Sequence, residues 1–343
     1  MAGFISNLTI GAKLGNGHFG EVFEAVDPAH GNVAVKIIKF DPAEYTPATW
    51  DQFKQDLSEA KNLAKAAHRN VVQIHHVVEA PDGQSVAICM AFCPGGSFEK
   101  PFKAGPMTLA AVRKAGTEVS LGLGVLHSRG MIHRDIKPAN ILIDQKGVAQ
   151  LSDFGLVTDN IILGYASDKG YSDHVAYEVW QGKGTSVKTD VWALGMTLYR
   201  LLHGKDWYDA SPSPRFVIAN GGFADSLKWL PHVPKAWRRL IRKTLNDDPA
   251  KRQQNAAAVL KGLATLPVAP SWECSVTDKL VRWEQTKGIR RVIVEWKRHS
   301  AQKHEWTAWS EPTGKGRTMT LGGSSGQISR SQVVRELETF FDV

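Results

Sequence analysis

Three apolar or alternating runs open the chain, Leu8 to Leu14, Glu21 to Val26 and Val33 to Ile38, separated by a Gly-rich stretch and an Asp-Pro-Ala-His-Gly turn. That alternation predicts an antiparallel strand meander. From Trp50 to Ala66 the apolar positions Phe53, Leu57, Ala60, Leu63 and Ala64 recur at helical spacing, and strand-like runs follow at Val71 to Val78 and Ser85 to Phe92. After Pro94-Gly95-Gly96 the helical period dominates. It predicts helices over 108–128, 189–203, 234–245 and 255–266, with short strands at Ile141-Leu142-Ile143 and Ala149-Gln150-Leu151.

Past Pro267-Val268-Ala269-Pro270, which reads as a linker, the composition shifts. Five of the 11 tryptophans, Trp272, Trp283, Trp296, Trp306 and Trp309, fall in this last stretch. Val292, Val294 and Trp296 alternate as on one strand face, and Thr313 to Gly316 marks a turn. Ser329 with Gln332 predicts the cap of a final helix whose apolar face holds Val333, Leu337, Phe340 and Phe341. The expected fold class is therefore α+β in two lobes, β-rich then helical, followed by a small α+β module. The boundaries read as 1–93, 94–267 and 271–343.

Composition narrows the class without naming a function. With 343 residues, 43% hydrophobic and 22% charged, the chain suits one large or two smaller folded domains rather than a disordered or fibrous one. No apolar run reaches the roughly 20 residues that span a bilayer. The N-terminus lacks the look of a secretory signal, so a soluble, cytoplasmic protein is expected. Cys89, Cys93 and Cys274 have neither framework nor metal spacing, which suits a reducing compartment. A net charge of +8 fits a polyanionic partner but equally an ordinary basic surface. Tryptophans interleaved with Arg290-Arg291, Lys297-Arg298 and Lys303 have the composition of a single-strand nucleic-acid binder, yet strand tryptophans in a small module more often build its core. Nucleic acid is not the expected partner.

Chemistry concentrates in three places. Gly15-Asn16-Gly17-His18-Phe19-Gly20 sets glycines at G-x-G-x-x-G spacing between two strands, a context for backbone N–H groups laid over phosphates, although alone it is also an ordinary glycine hairpin. Lys36, in the apolar run Val33-Ala34-Val35-Lys36, must either snorkel to solvent or find an anion. The third is His133-Arg134-Asp135-Ile136-Lys137-Pro138-Ala139-Asn140, followed by Ser152-Asp153-Phe154-Gly155. Two carboxylates, an amide and a lysine in loops beside short strands suit a divalent cation with phosphate.

In this order the motifs resemble a eukaryotic-type serine/threonine protein kinase domain over about residues 8–266. The resemblance implies a bilobal kinase fold and an enzyme using ATP and Mg2+, or Mn2+, to phosphorylate a protein, itself included. It implies that the backbone of Gly15, Asn16, Gly17 and Gly20 covers the phosphates, and that Lys36 contacts them while paired to Glu59. Asp135 takes the catalytic-acceptor position and Lys137 the position that balances phosphoryl charge. Asn140 and Asp153 take the metal positions. Val22, Ala34, Met90 and Leu142 match the adenine pocket, with backbone groups of Ala91 and Cys93 at the hinge. Asp190 matches the aspartate that supports the catalytic loop, and Arg252 the arginine paired with Glu178.

The activation segment departs from the family pattern: Ala176-Tyr177-Glu178 replaces Ala-Pro-Glu, Tyr171 stands where a threonine is usual, and His174 where a tyrosine is usual. A non-protein acceptor, or a nucleotide-binding scaffold of toxin–antitoxin type, stays open as an alternative. Ser167 and Ser172 are the phosphosite candidates, with Thr158 and Tyr165 behind them, and Arg134 is placed to receive such a phosphate. Residues 271–343 carry no motif of a recognised family, and they are expected to recruit substrate, to engage a regulatory partner or to regulate the chain itself.

Overall fold

The computed structural model describes residues 8–17, 20–41, 46–63, 68–80, 83–154, 172–211 and 220–342, the side chains of 56–63 and 172 excepted. The first lobe is a five-stranded antiparallel sheet of β1 (Thr9–Gly17), β2 (Gly20–Asp27), β3 (Gly31–Lys39), β4 (Ile74–Glu79) and β5 (Ser85–Ala91), in the order β1-β2-β3-β5-β4. The central β3 is buried on both faces from Val33 to Ile38. Alternation divides its neighbours. Phe23, Ala25, Val33, Val35, Ile37, Ala87 and Cys89 pack the outer face, whereas Ala34, Ile38, Ile88 and Met90 join the main core on the inner face. Helix α1 (Pro47–Leu63) docks through Trp50 and Phe53, and the Trp50 indole N–H donates to the Gly83 carbonyl at 2.8 Å.

The helical lobe is built from α2 (Glu99–Ala104), α3 (Leu109–Ser128), α4 (Tyr177–Trp180), α5 (Val187–Asp209), α6 (Phe223–Ser226), α7 (Lys235–Thr244) and α8 (Ala256–Ala264), with the hairpin of β6 (Ile141–Ile143) and β7 (Ala149–Leu151) facing the first lobe. Thr108 caps α3 by accepting the Ala111 N–H, and Leu109, Val112, Val119, Leu123 and Leu126 form its buried stripe. A Cβ on Gly122 would lie 2.3 Å from the Asn70 carbonyl oxygen, so glycine lets α3 approach the chain that leads into β4. Helix α5 is buried nearly all round, starts in a capping box at Ser186 and kinks at Gly204. It is the post on which the loop over 133–140 hangs.

The tail forms its own antiparallel meander, β8 (Glu273–Val276), β9 (Leu280–Lys287), β10 (Arg290–Arg298), β11 (His304–Pro312) and β12 (Met319–Gly323), closed by α9 (Arg330–Phe340) with Ser329 as its cap. Its core is continuous with that of the helical lobe. The Trp283 indole N–H donates to His232 Nδ1 at 2.9 Å, Trp296 meets Trp207 edge-on, and Arg238 pairs with Glu338. Trp272, Trp283, Trp296 and Trp306 are buried, which leaves them unavailable as stacking platforms for bases. No helix among the described residues is long and apolar enough to cross a membrane.

Candidate active site

Strands β1 and β2 meet in register from Gly15 opposite Val22 to Gly17 opposite Gly20, so the glycines flank a hairpin whose tip, residues 18 and 19, lies outside the described residues. Gly20 has φ +146°, and a Cβ there would sit 2.1 Å from the Ile37 carbonyl oxygen; only glycine fits. Gly15 faces open space. One strand over, Lys36 points into the cleft with its side chain 1% exposed, and its Nζ donates to Asp153 Oδ1 at 2.9 Å. The lysine therefore meets an anion rather than snorkelling. Its expected pairing with Glu59 falls on a side chain outside the described ones.

The loop over 133–140 is held by α5. Asp190, at the start of α5 and 1% exposed, accepts the His133 N–H and the Arg134 N–H, each at 2.8 Å. His127 Nε2, at the end of α3, lies 2.8 Å from the same carboxylate. Arg134 (φ 68°) and Asp153 (φ 61°) are left-handed non-glycine residues within or beside the loop, a conformation maintained only where surrounding contacts over-determine it. His133 is buried, its imidazole held below the ordinary histidine value by desolvation, and its Nδ1 accepts the Asp135 N–H at 3.3 Å.

Above this support the polar groups converge. Asp135 Oδ2 receives Lys137 Nζ at 2.8 Å and Asn140 Nδ2 at 2.7 Å, while Asn140 Nδ2 also donates to the Asp135 carbonyl at 2.9 Å. With its amide hydrogens directed at Asp135, Asn140 keeps its amide oxygen as a hard ligand. The Asn140 carbonyl in turn accepts the Ser152 N–H and hydroxyl at 3.0 and 3.1 Å, tying this loop to the strand that delivers Asp153. The result is a lysine, an amide and two carboxylates fixed around one cleft, the donor set that suits a divalent cation and phosphate oxygens.

The inner sheet face supplies an apolar slot: Ala34 lies opposite Met90 in register, Val22 and Leu142 pack against the core beside them, and Leu142 bridges to Ser97. At the hinge the Ala91 N–H is taken by the Gln73 carbonyl at 2.9 Å. That leaves the Ala91 carbonyl as its hinge group. Burial pushes the Cys93 thiol up to about 11, so it packs as a neutral side chain.

Ser167, Thr158, Tyr165 and Tyr171 lie outside the described residues, as does the side chain of Ser172; the backbone of Ser172 opens a short 3-10 turn to His174. Arg134 Nε donates to Thr185 Oγ1 at 3.0 Å. Farther on, Glu178 and Arg252 form a buried two-pronged pair at 2.7 and 2.9 Å. Sequence reasoning missed two supports. His127 has no spacing signal, standing alone 63 positions before Asp190. His174, the departure from the family tyrosine, is buried against the Arg200 guanidinium, which stacks over Phe102 at 4.3 Å; Asp173 beside it accepts the Tyr208 hydroxyl at 2.6 Å.

Comparison with known proteins agrees with this geometry. The family description "protein kinase domain" matches residues 8–261, well over half of the chain. The sequence is 34% identical over 222 residues to "Cytokinesis protein sepH" of Emericella nidulans, covering 63% of this chain and 16% of that protein. It is 29% identical over 287 residues to "Hormonally up-regulated neu tumor-associated kinase homolog A" of Xenopus laevis, covering 77% of this chain and 40% of that protein. It is 34% identical over 202 residues to "Mitogen-activated protein kinase kinase kinase 3" of Homo sapiens, covering 57% and 32%. The chain thus spans well under half the length of these relatives.

Proposed function

The chain belongs to the protein kinase family, and we propose that it transfers the γ-phosphoryl group of ATP to serine or threonine hydroxyls of a protein, its own chain included. Members of this family use ATP with a divalent cation, and the oxygen donors here fit one: the Asn140 amide oxygen and the Asp153 carboxylate would hold Mg2+, or Mn2+, which when bound neutralises phosphate charge. Asp135 accepts the proton that the acceptor hydroxyl releases as its oxygen bonds to the γ-phosphorus and the bond to ADP breaks. Lys137, already 2.8 Å from Asp135, lies where it balances charge on the transferring group. Lys36 contacts the α- and β-phosphates and orients Asp153. Ala34, Val22, Met90 and Leu142 enclose the adenine, the Ala91 carbonyl and Cys93 N–H address its edge, and the Gly15–Gly20 backbone closes over the phosphates.

The observation that carries this reading is the convergence of Lys36, Asp135, Lys137, Asn140 and Asp153 on one cleft, with every side chain except Lys36 held in the helical lobe. A lysine two residues after Asp135, and relatives named as mitogen-activated protein kinase kinase kinases, support serine and threonine as acceptors. Among the described residues, no feature of the site favours a non-protein acceptor or a scaffold. We also read 1–93 and 94–267 as the two lobes of the catalytic unit, working in the cytoplasm, and 271–343 as an accessory part that presents a substrate or regulatory partner. The test is phosphoamino-acid analysis after incubation with γ-labelled ATP, Mg2+ and a generic protein substrate. Label on serine or threonine supports the proposal; label on tyrosine alone, or on no protein while ATP binds, overturns it.

A further inference from the structure

On the outer face of the first-lobe sheet, away from the cleft, three ligand-type side chains meet that take no part in the nucleotide chemistry. Asp27 ends β2, His30 lies in the turn to β3, and His76 lies on β4 where a bulge shifts its register with β5. Asp27 shares the strand parity of Phe23 and Ala25, which pack that outer face, and is itself 6% exposed. Its Oδ1 accepts the Ala29 N–H at 2.7 Å, and this turn aims Oδ2 at the two imidazoles. His30 Nδ1 is 3.4 Å and His76 Nε2 3.7 Å from Oδ2, and one ligand atom from each residue lies within 4.8 Å of the other two.

Those separations are longer than good hydrogen bonds, which close to about 2.7–3.2 Å. They are close to the spacing of ligand atoms around a tetrahedral ion: bonds of about 2.0–2.2 Å set neighbouring ligands about 3.3–3.6 Å apart. From this geometry we infer that Asp27, His30 and His76 form a binding site for a divalent transition metal, Zn2+ being the ion the set fits best. Two imidazole nitrogens and one carboxylate oxygen suit Zn2+ and its neighbours Ni2+ and Cu2+; Mg2+ and Ca2+ prefer oxygen alone. The His30 side chain, 39% exposed, turns to close the third edge and leaves the fourth position to water. The His75 ring stacks on His30 at 4.0 Å and backs that imidazole.

The site has a mechanical meaning. In the order β1-β2-β3-β5-β4, two strands separate β2 from β4, so an ion held by Asp27 and His76 ties together parts of the sheet that share no backbone ladder. It is a second metal position, separate from the cleft and independent of the phosphotransfer reading.

The experiment is equilibrium dialysis of the metal-stripped full chain against Zn2+ in excess Mg2+, with thermal melting in parallel, on the wild type, His30→Ala, His76→Ala and, as a surface-histidine control, His299→Ala. The inference expects the wild type and His299→Ala to take up one more Zn2+ than the other two variants. Affinity at that position should fall by more than about 100-fold in His30→Ala, and Zn2+ should raise Tm only where the position is intact. His30 is exposed, so its variant is expected to fold and remains decisive if His76→Ala does not. Equal uptake and equal Tm shifts in the wild type and His30→Ala would overturn the assignment.

Discussion

Lys36 and Asp153 are joined by a 2.9 Å ion pair across 117 positions of sequence, linking the central strand of one lobe to the turn after β7 in the other. The lysine is 1% exposed, so its charge is desolvated and depends on this cleft for compensation. Lys36→Met removes the link and, with it, the proposed phosphate contact. Phosphotransfer is expected to fall at least about 100-fold, measured as kcat/KM for ATP with a protein acceptor. Unchanged kcat/KM would dissociate the pair from function.

Gly20 and Gly15 make opposite predictions although both belong to the glycine loop. Ala at Gly20 must displace the Ile37 backbone, 2.1 Å from the new Cβ, from a φ that L-residues avoid. Gly20→Ala is expected to weaken ATP binding by about tenfold or more and to lower Tm, whereas Gly15→Ala should hold stability within about 1 kcal/mol. Nucleotide titration and thermal melting of the two variants check the contrast.

Asp190→Asn keeps the shape of the catalytic-loop support and removes its charge. Three donors, the His133 and Arg134 N–H groups and His127, converge on that carboxylate. The expected stability loss is roughly 2–4 kcal/mol, by denaturant unfolding. Activity should fall with it because Arg134 needs the anchor to stay left-handed. His127→Ala should do the same more weakly, through stability alone.

Two buried histidines make the fold acid-sensitive. Burial lowers His203 and His232 from 6.5 to about 3; His203 bonds the Tyr199 carbonyl and His232 accepts the Trp283 N–H. The unfolded chain binds these protons below about pH 6.5, while the native state refuses them until about pH 3. Their stabilising effect is therefore whole above pH 6.5 and is lost as pH falls from there towards 3, at about 1.4 kcal/mol per pH unit for each. Melting from pH 7.5 to 5 should show a falling Tm, with a shallower slope in His232→Gln. An unchanged slope would contradict the assignment.

Much of the fold was legible because its signals are local. The strand runs and the helices over 109–128, 187–209 and 235–244 follow period and caps, with ends moved by a few residues. Asp135, Lys137, Asn140 and Asp153 stood out because polar residues gather there in loops at close spacing, and Lys36 because it is a charged residue inside an apolar strand. The His127–Asp190 and Arg200–His174 contacts, and the approach of His76 to the Asp27–His30 turn, are assembled only by tertiary packing between residues far apart in the chain. The tail's tryptophans announced a core, but composition cannot tell which of them face the tail's own sheet. Trp296 reaching Trp207 and Trp283 reaching His232 join that core to the helical lobe.

The proposed function rests on Asp135 accepting the acceptor's proton in a loop that is anchored from Asp190. The most direct measurement compares kcat for protein phosphorylation and Kd for ATP in the wild type and Asp135→Asn, which preserves side-chain shape. The expected result is a fall in kcat of at least about 100-fold with Kd for ATP changed less than about threefold. Undiminished kcat in Asp135→Asn, with ATP still bound, would contradict it.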